Sequence, residues 1–149
     1  RAGELPNARC KVLGALGAVA AVVVGVVRLR YEHNTLRYAG SLDDARTVLT
    51  SFSNSKFTGG SMQMAPDANP GDGLLDVLRA GTFSRSALMA AFARIFVGTH
   101  VDLEQVWTSQ VDRVDFVNPT RQAVLVDGDL FHLTPLSLDV LPGALRLIS

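Results

Sequence analysis

Cysteine and lysine are scarce in this 149-residue chain, which contains one cysteine, Cys10, and only two lysines, Lys11 and Lys56. A single cysteine excludes an internal disulfide and a cysteine-rich zinc site. We interpret Cys10 as a small core residue, and its solitary state fits a reducing, intracellular compartment. The 14 basic residues are balanced by 14 acidic ones, and no basic run of five occurs. We therefore expect no nucleic-acid partner.

No apolar run is long enough to cross a bilayer. Residues 12–27 are almost entirely small and apolar, but this run is shorter than the ~20 residues that a membrane helix needs. Arg28 and Arg30 follow it directly, without a signal-peptide cleavage site. The spacing of its leucines and valines predicts a buried helix over residues 9–24. With no repeat or linker in sight, we expect one domain over residues 1–149.

Sequence motifs of several enzyme classes are also absent. The chain has neither a G-x-x-x-x-G-K-[ST] nor a G-x-G-x-x-G phosphate loop. His33, His100 and His132 lack the H-x-x-x-H spacing of a catalytic zinc site. Ser61 follows two glycines, but this segment lacks the G-x-S-x-G elbow of hydrolases.

Short alternating apolar segments separated by turns make up most of the chain, and they predict strands. The predicted strands cover residues 27–32, 36–39, 48–53, 61–65, 74–80, 106–109, 111–117, 123–126, 130–133, 136–141 and 145–148. A second helix is predicted over 84–97, capped by Thr82 or Ser84 and ended by Gly98. Strands at this spacing favour a mainly β fold, an antiparallel β-sandwich with two peripheral helices.

The stretch DANPGDGLLDVL, residues 67–78, places three aspartates in and after a glycine-rich turn. It fails as an EF-hand loop, because Asp72 occupies the glycine position and Leu78 the position of the bidentate glutamate. Its glycines would still allow main-chain carbonyls to face inward beside the Asp72 carboxylate, a mixture that hard cations such as Mg²⁺ accept. A simple Asx-type turn explains the same residues.

A second acidic turn, VDGD at residues 126–129, lies between two apolar segments. Asp-Gly in this position is first of all a hairpin signal. Two acids two positions apart also project to the same side of an extended chain, where their mutual repulsion raises one pKa and suits a general base.

Taken in order, four segments resemble the diacylglycerol kinase-like lipid kinases, which include bacterial diacylglycerol kinases and sphingosine and ceramide kinases. The segments are NSKFTGGSMQMAPDANPGDGLLDVL (54–78), FVGTH (96–100), VDGD (126–129) and LDVLPGALRL (138–147). The first resembles the family's G-G-G-M and D-G-x-L-D-V motifs, and VDGD resembles its V-D-G-E. The resemblance spans roughly residues 50–149.

This resemblance implies a two-domain, ATP-dependent kinase that phosphorylates a lipid hydroxyl, of which this chain is similar to the C-terminal β-sandwich half. The family's N-terminal half carries a G-G-D-G-T nucleotide-binding motif, and this chain has no such motif. We therefore expect it to be part of a longer protein and inactive alone. The implied partners are a lipid substrate and ATP, with transient membrane-surface contact in the cytoplasm. An oligomer is left open.

The resemblance also implies roles for particular residues. Asp72 matches the carboxylate ligand of a structural Mg²⁺, and Asn69 and Leu74 match positions whose main-chain carbonyls complete the site. Asp127 and Asp129 match the acids of D-G-E, and Asp129 stands at the position of the proton acceptor.

Two departures from the family pattern leave alternatives open. Ser61 replaces a glycine, and Asp129 replaces a glutamate and is one methylene shorter. A base must come within hydrogen-bond reach of its proton, so the role could move to Asp127. The chain could also be a lipid-binding sandwich that has lost catalysis, or, like the related NAD kinases, act on a soluble nucleotide.

Overall fold

The structure, a computed structural model, describes residues 30–144. The predicted helix at 9–24, the first half of the predicted strand at 27–32 and the predicted strand at 145–148 lie outside these residues.

Residues 30–144 form antiparallel strands and one α-helix, which confirms the predicted fold class. The strands are β1 (Glu32–Tyr38), β2 (Ser41–Thr47), β3 (Leu49–Ser53), β4 (Leu75–Ala80), β5 (Val106–Val111), β6 (Arg113–Val117), β7 (Gln122–Val126), β8 (Asp129–Leu133) and β9 (Ser137–Asp139). The helix α1 spans Arg85–Ile95, and a short 3-10 helix follows at Thr99–Asp102. One sheet has the strand order β2-β1-β6-β9 and a second has the order β3-β4-β5, whereas β7 and β8 form a separate hairpin.

The two larger sheets face each other across a hydrophobic core, and β4, the central strand of the three-stranded sheet, contributes Val77 to it. Val77 of β4 packs with Leu36 of β1, Val111 of β5 and Val114 of β6, and all four side chains are buried. The edge-to-face contact between Phe52 and Phe116 lies in the same core. This pairing of apolar faces makes the domain a sandwich.

The opposite face of β4 packs against α1. Leu78 and Ala80 cluster with Phe83, Ala91 of the helix and Val106. Ser84 caps the helix by accepting a hydrogen bond from the Ala87 N–H, and Gly98 follows it with a φ of 76°. No helix among residues 30–144 is both long and apolar enough to cross a membrane. β4 is covered on both faces, and four of its six residues are apolar; the exceptions are Asp76 and Arg79.

A buried arginine joins the two sheets. The Arg79 side chain of β4 is fully buried and forms an ion pair of 2.8 Å with Asp43 of β2. Its guanidinium also donates to the main-chain carbonyls of Asn34, Asp43 and Ala45. Burial alone raises the pKa of Asp43, but hydrogen bonds from Tyr38 and Arg79 outweigh burial and hold the pKa below its ordinary value. Sheet-to-sheet packing is therefore reinforced by a polar link.

The strand predicted at residues 61–65 is wrong. This segment has only an isolated bridge between Thr58 and Met62, across Gly59 and Gly60, whose φ angles are 60° and 88°. The backbone N–H of Gln63 instead donates to the Ile95 carbonyl at the end of α1, 2.9 Å away. The last carbonyls of a helix lack hydrogen-bond partners within the helix. The 61–65 segment therefore pairs with the end of α1 instead of with a neighbouring strand.

Strand β2 was missed by the sequence analysis. Strand β1 begins at Glu32 and includes residues 36–38 of the short strand predicted at 36–39. The β2 sequence SLDDART contains two adjacent aspartates, which are uncommon in strands. A two-residue turn at Ala39 and Gly40, both with positive φ, returns the chain into it. Asp43 is tolerated in this strand because it pairs with Arg79, which lies 36 positions away along the chain.

Candidate metal loop and acidic hairpin

The loop that leads into β4 is organised around Asn69 and Asp72. The Asn69 Oδ1 accepts a hydrogen bond of 3.0 Å from the Gly71 N–H, and the Asp72 Oδ1 accepts one of 2.9 Å from the Leu74 N–H. The Asp72 N–H donates to the Asn69 carbonyl at 3.3 Å. These bonds make the loop a pair of Asx turns, as the structural interpretation of the sequence predicts. Oδ2 of Asp72 is the carboxylate oxygen that this turn leaves for a ligand.

Asp76, two residues after the loop, carries a buried carboxylate with one unsatisfied oxygen. Its Oδ1 accepts a 3.0 Å hydrogen bond from Gln110 Nε2, whereas its buried Oδ2 has no hydrogen-bond partner among the described residues. Burial raises the pKa of Asp76 above its ordinary value, although the Gln110 bond partly offsets this. The charges of Asp72 and Asp67 raise the same pKa further. An orphaned, repelled carboxylate in this position is an expected neighbour of a bound cation.

These residues fit the Mg²⁺ site that the sequence suggests. Within residues 30–144, no three acidic, histidine or cysteine side chains converge to hold a metal by themselves. A site built from one carboxylate, main-chain carbonyls and water does not need such a cluster. Asp72, with the carbonyls of Asn69 and Leu74, would hold the ion. A bound cation would offset the repulsion among Asp67, Asp72 and Asp76 and fix the loop against β4.

Removing Mg²⁺ should lower the melting temperature of the protein. Binding at a hundred times the dissociation constant stabilises the folded state by ~2.7 kcal/mol, which corresponds to roughly 5–10 °C for a chain of this size. Asp72→Asn should abolish this difference, because its amide oxygen still accepts the Leu74 N–H while the negative charge is lost. Thermal melts with Mg²⁺ and with a chelator provide the measurement. Asp67→Asn is the matched control and should retain the difference, and identical melts of the unmodified protein under both conditions would reject the site.

A buried histidine supports the segment before the loop, and sequence reasoning assigned it no role. His100 is 3% exposed, and its Nε2 lies 3.2 Å from the Met64 carbonyl. Burial lowers the pKa of His100, so the ring is neutral near pH 7 and donates through Nε2. Gly98, two residues earlier, has left-handed backbone, and a Cβ there would come within 3.1 Å of Gln63 and Pro66. Gly98 and His100 of the FVGTH motif therefore pack against residues 63–66, the segment that precedes the candidate metal loop.

Asp127 and Asp129 lie at the end of the hairpin formed by β7 and β8, and both are exposed. Asp127 and Gly128 form its two-residue turn with φ values of 49° and 98°, and Val126 pairs with Asp129. Positive φ at both turn positions is the type I′ pattern, which confirms the predicted hairpin. The expectation that the two acids project to one side of an extended chain is wrong, because Asp127 is in the turn. Only Asp129 has a strand-defined orientation, on the same face as Phe131.

The two acidic turns belong to different parts of the sandwich. The Asn69–Leu74 loop precedes β4, the central strand of the three-stranded sheet, and its Gly73 lies beside Pro142. The Asp127–Asp129 turn ends a hairpin that forms its own two-stranded sheet. The structure therefore gives a preorganised loop and a separate exposed pair of carboxylates.

Comparison with known proteins identifies the family of the chain. A family model described as the YegS C-terminal NAD kinase beta sandwich-like domain matches residues 1–149. The chain belongs to this family. Two curated relatives, both diacylglycerol kinases of Mycobacterium tuberculosis, from strains CDC 1551 / Oshkosh and ATCC 25618 / H37Rv, are 35% identical to this domain over 104 residues. The alignment covers 70% of this domain and only 33% of the length of each relative.

Solved structures support the fold of this YegS C-terminal domain. A diacylglycerol kinase from Bacillus anthracis str. Sterne aligns with a TM-score of 0.57 at 16% identity, covering 83% of this chain and 44% of that protein. Two further structures from the same bacterium align with TM-scores of 0.59 and 0.60 at 16% and 18% identity, covering 83% and 81% of this chain and 44% and 41% of theirs. The domain is thus the C-terminal sandwich of a kinase family.

Proposed function

We propose that this domain is the lipid-binding and proton-accepting half of an ATP-dependent kinase that phosphorylates the hydroxyl of a diacylglycerol-type lipid. The observation that carries the proposal is the hairpin turn that presents the exposed carboxylates of Asp127 and Asp129. The names of the curated relatives support the substrate class. The rest of the longer protein would hold ATP, as the 33% coverage of those relatives allows.

Asp129 is the proposed general base. It is the first residue of β8, and its pairing with Val126 fixes the direction of its side chain. Asp127 lies in the turn itself, where it would orient Asp129 or share its charge. A lipid hydroxyl is a weak nucleophile until a carboxylate accepts its proton, and phosphoryl transfer otherwise depends on positioning and charge stabilisation.

The Mg²⁺ proposed at Asp72, with the Asn69 and Leu74 carbonyls, is structural in this account. When bound, it would supply positive charge beside Asp76 and hold the loop in one conformation. A second Mg²⁺ would accompany ATP in the other half of the protein. We further propose that the protein contacts the membrane surface only transiently while it acts on its lipid.

This chain alone should not phosphorylate a lipid. Phosphoryl transfer requires ATP and its metal to be held in line with the acceptor, and the sequence contains no phosphate-cradling loop. The measurement is transfer of labelled phosphate from ATP to diacylglycerol in vesicles, by the purified chain and by the longer protein that carries it. We expect transfer by the longer protein and none above background by the chain. Turnover by the chain alone would contradict this division of labour, and no lipid phosphorylation by the longer protein would favour a lipid-binding role without catalysis.

A further inference from the structure

Asp-Gly pairs are prone to spontaneous rearrangement through a cyclic imide, and this chain contains two of them, Asp72-Gly73 and Asp127-Gly128. Glycine favours the reaction because it has no Cβ to shield its nitrogen and because its main chain rotates freely. Both glycines have positive φ, 75° at Gly73 and 98° at Gly128. By sequence alone the two pairs are equally reactive, so a difference between them has to come from the structure.

The Asp72-Gly73 pair is held by its surroundings. The Asp72 Oδ1 accepts a hydrogen bond of 2.9 Å from the Leu74 N–H, and the Asp72 N–H donates to the Asn69 carbonyl at 3.3 Å. Gly73 is half-buried, and a Cβ there would lie 3.4 Å from the Pro142 side chain. The carboxyl carbon and the glycine nitrogen must approach each other for the rearrangement, so this turn must first lose these contacts.

The Asp127-Gly128 pair lies at the open end of the β7–β8 hairpin. Both residues are exposed, and a Cβ at Gly128 would meet no other atom of the described residues within 4 Å. The φ of Asp127 is 49°, in the left-handed region that side chains disfavour, so leaving this conformation costs little. Among the described residues the hairpin forms a two-stranded sheet by itself, and the tip of such a hairpin opens easily. This turn is therefore free to reach the geometry that ring closure requires.

We propose that Asp127 is a site of spontaneous isomerisation to isoaspartate and that Asp72 is protected from the same reaction. The main-chain nitrogen of Gly128 attacks Cγ of Asp127, a C–N bond forms, and the carboxyl hydroxyl leaves with the amide proton as water. Water then adds to the resulting five-membered imide. Cleavage of the bond between the nitrogen and the former main-chain carbonyl carbon leaves the chain running through Cβ and Cγ, whereas cleavage of the bond to Cγ restores aspartate.

The rearranged residue would disturb the turn that carries the proposed base. Isoaspartate adds one methylene carbon to the main chain and removes one from the side chain. A two-residue turn closely fits the register of its strands. The added atom should therefore break the pairing of Val126 with Asp129, which sets the direction of the Asp129 side chain. This effect on turnover rests on the proposed function, whereas the isomerisation itself does not.

Ageing of the longer protein tests the difference between the two pairs. The folded protein is incubated at neutral pH and body temperature, in parallel with a sample in denaturant, and isoaspartate in its peptides is labelled by an isoaspartate-specific methyltransferase with a radioactive methyl donor. In the folded protein we expect label at position 127 to accumulate roughly tenfold faster than at position 72, because the two turns differ in the free energy of local opening. In denaturant the two rates should be similar. Equal rates in the folded protein, or no label at position 127, would overturn the inference.

Three substitutions test whether the label arises from the Asp127 side chain. Asp127→Glu should abolish the label, because closure then requires a six-membered ring, which forms far more slowly. Asp127→Asn should increase it, because ammonia leaves from the amide more readily than water leaves from the carboxyl group. Asp129→Glu changes the other acid of the turn and should leave the label unchanged. Label that persists in Asp127→Glu, or that does not rise in Asp127→Asn, would contradict the assignment to Asp127.

Turnover of the aged protein separates this inference from the proposed function. Lipid phosphorylation should fall in proportion to the fraction of isoaspartate at position 127, and Asp127→Glu should keep its own starting turnover over the same incubation. Isoaspartate at position 127 without a loss of lipid phosphorylation would overturn the link between this modification and catalysis. If fresh protein phosphorylates no lipid, the proposed function fails alone, because the isoaspartate measurement requires no turnover.

Discussion

Replacing Asp129 by asparagine should lower the turnover of the longer protein by about 10²–10⁴-fold, the usual contribution of a general base. The substitution removes basicity at nearly constant volume. Asp129 is exposed at the hairpin end, so the fold and the melting temperature should be preserved. Steady-state kinetics with saturating lipid and ATP measure the effect, and it should fall mainly on kcat because the proton is transferred during the chemical step.

Asp127→Asn is the matched control, since it changes the neighbouring acid in the same turn. It should lower turnover less than Asp129→Asn, because Asp127 would only orient or share charge with the base. Asp129→Glu restores the residue of the family pattern and should raise turnover if reach limits the present enzyme. An inactive Asp127→Asn beside a nearly normal Asp129→Asn would assign the base to Asp127.

Replacing Arg79 by methionine should destabilise the protein by about 3–5 kcal/mol, because removing one partner of a buried ion pair leaves the other charge uncompensated. The Arg79 side chain is fully buried, and its partner Asp43 is 18% exposed. The substitution also removes the donors to the carbonyls of Asn34 and Ala45, which belong to the facing sheet. Denaturant unfolding of the original protein and the variant gives the difference in unfolding free energy.

Arg113→Met provides a control of the same chemical type. Arg113 also pairs with two aspartates, Asp115 and Asp139, each at 2.6 Å, but its side chain is 52% exposed. Solvent screens exposed pairs, so the unfolding free energy should change little. Equal losses of unfolding free energy in the Arg79 and Arg113 variants would contradict this prediction, because the buried ion pair would then stabilise the fold no more than the exposed pairs.

Local patterns predicted much of the fold because they report on packing that is local to each element. The alternation of residues 106–133 predicted the antiparallel strands. The Ser84 signal predicted the start of α1, whereas the helix ends at Ile95, two residues before the predicted end. Asp127-Gly128 gave the hairpin turn. In each case, backbone preference and the burial of one side of the element agree.

The remaining features depend on partners distant in sequence. β2 is a polar strand whose Asp43 forms an ion pair with Arg79 of another sheet. The segment at 61–65 forms a hydrogen bond to the end of a helix about thirty residues later. Asp76 was visible as a third aspartate, but only the fold shows that its Oδ2 is buried without a partner among the described residues. The proposed Mg²⁺ ligands were suggested by the order of several motifs, since the loop residues alone also describe an ordinary Asx turn.

Transfer of labelled phosphate from ATP, followed over a panel of acceptors, tests the central claim most directly. The longer protein is incubated with labelled ATP, Mg²⁺ and vesicles containing diacylglycerol, sphingosine or ceramide, and in parallel with NAD. The account predicts label on the diacylglycerol hydroxyl, and a loss of about 10²–10⁴-fold in the Asp129→Asn variant. Label on NAD alone, or no labelled lipid from protein that binds ATP, would contradict it.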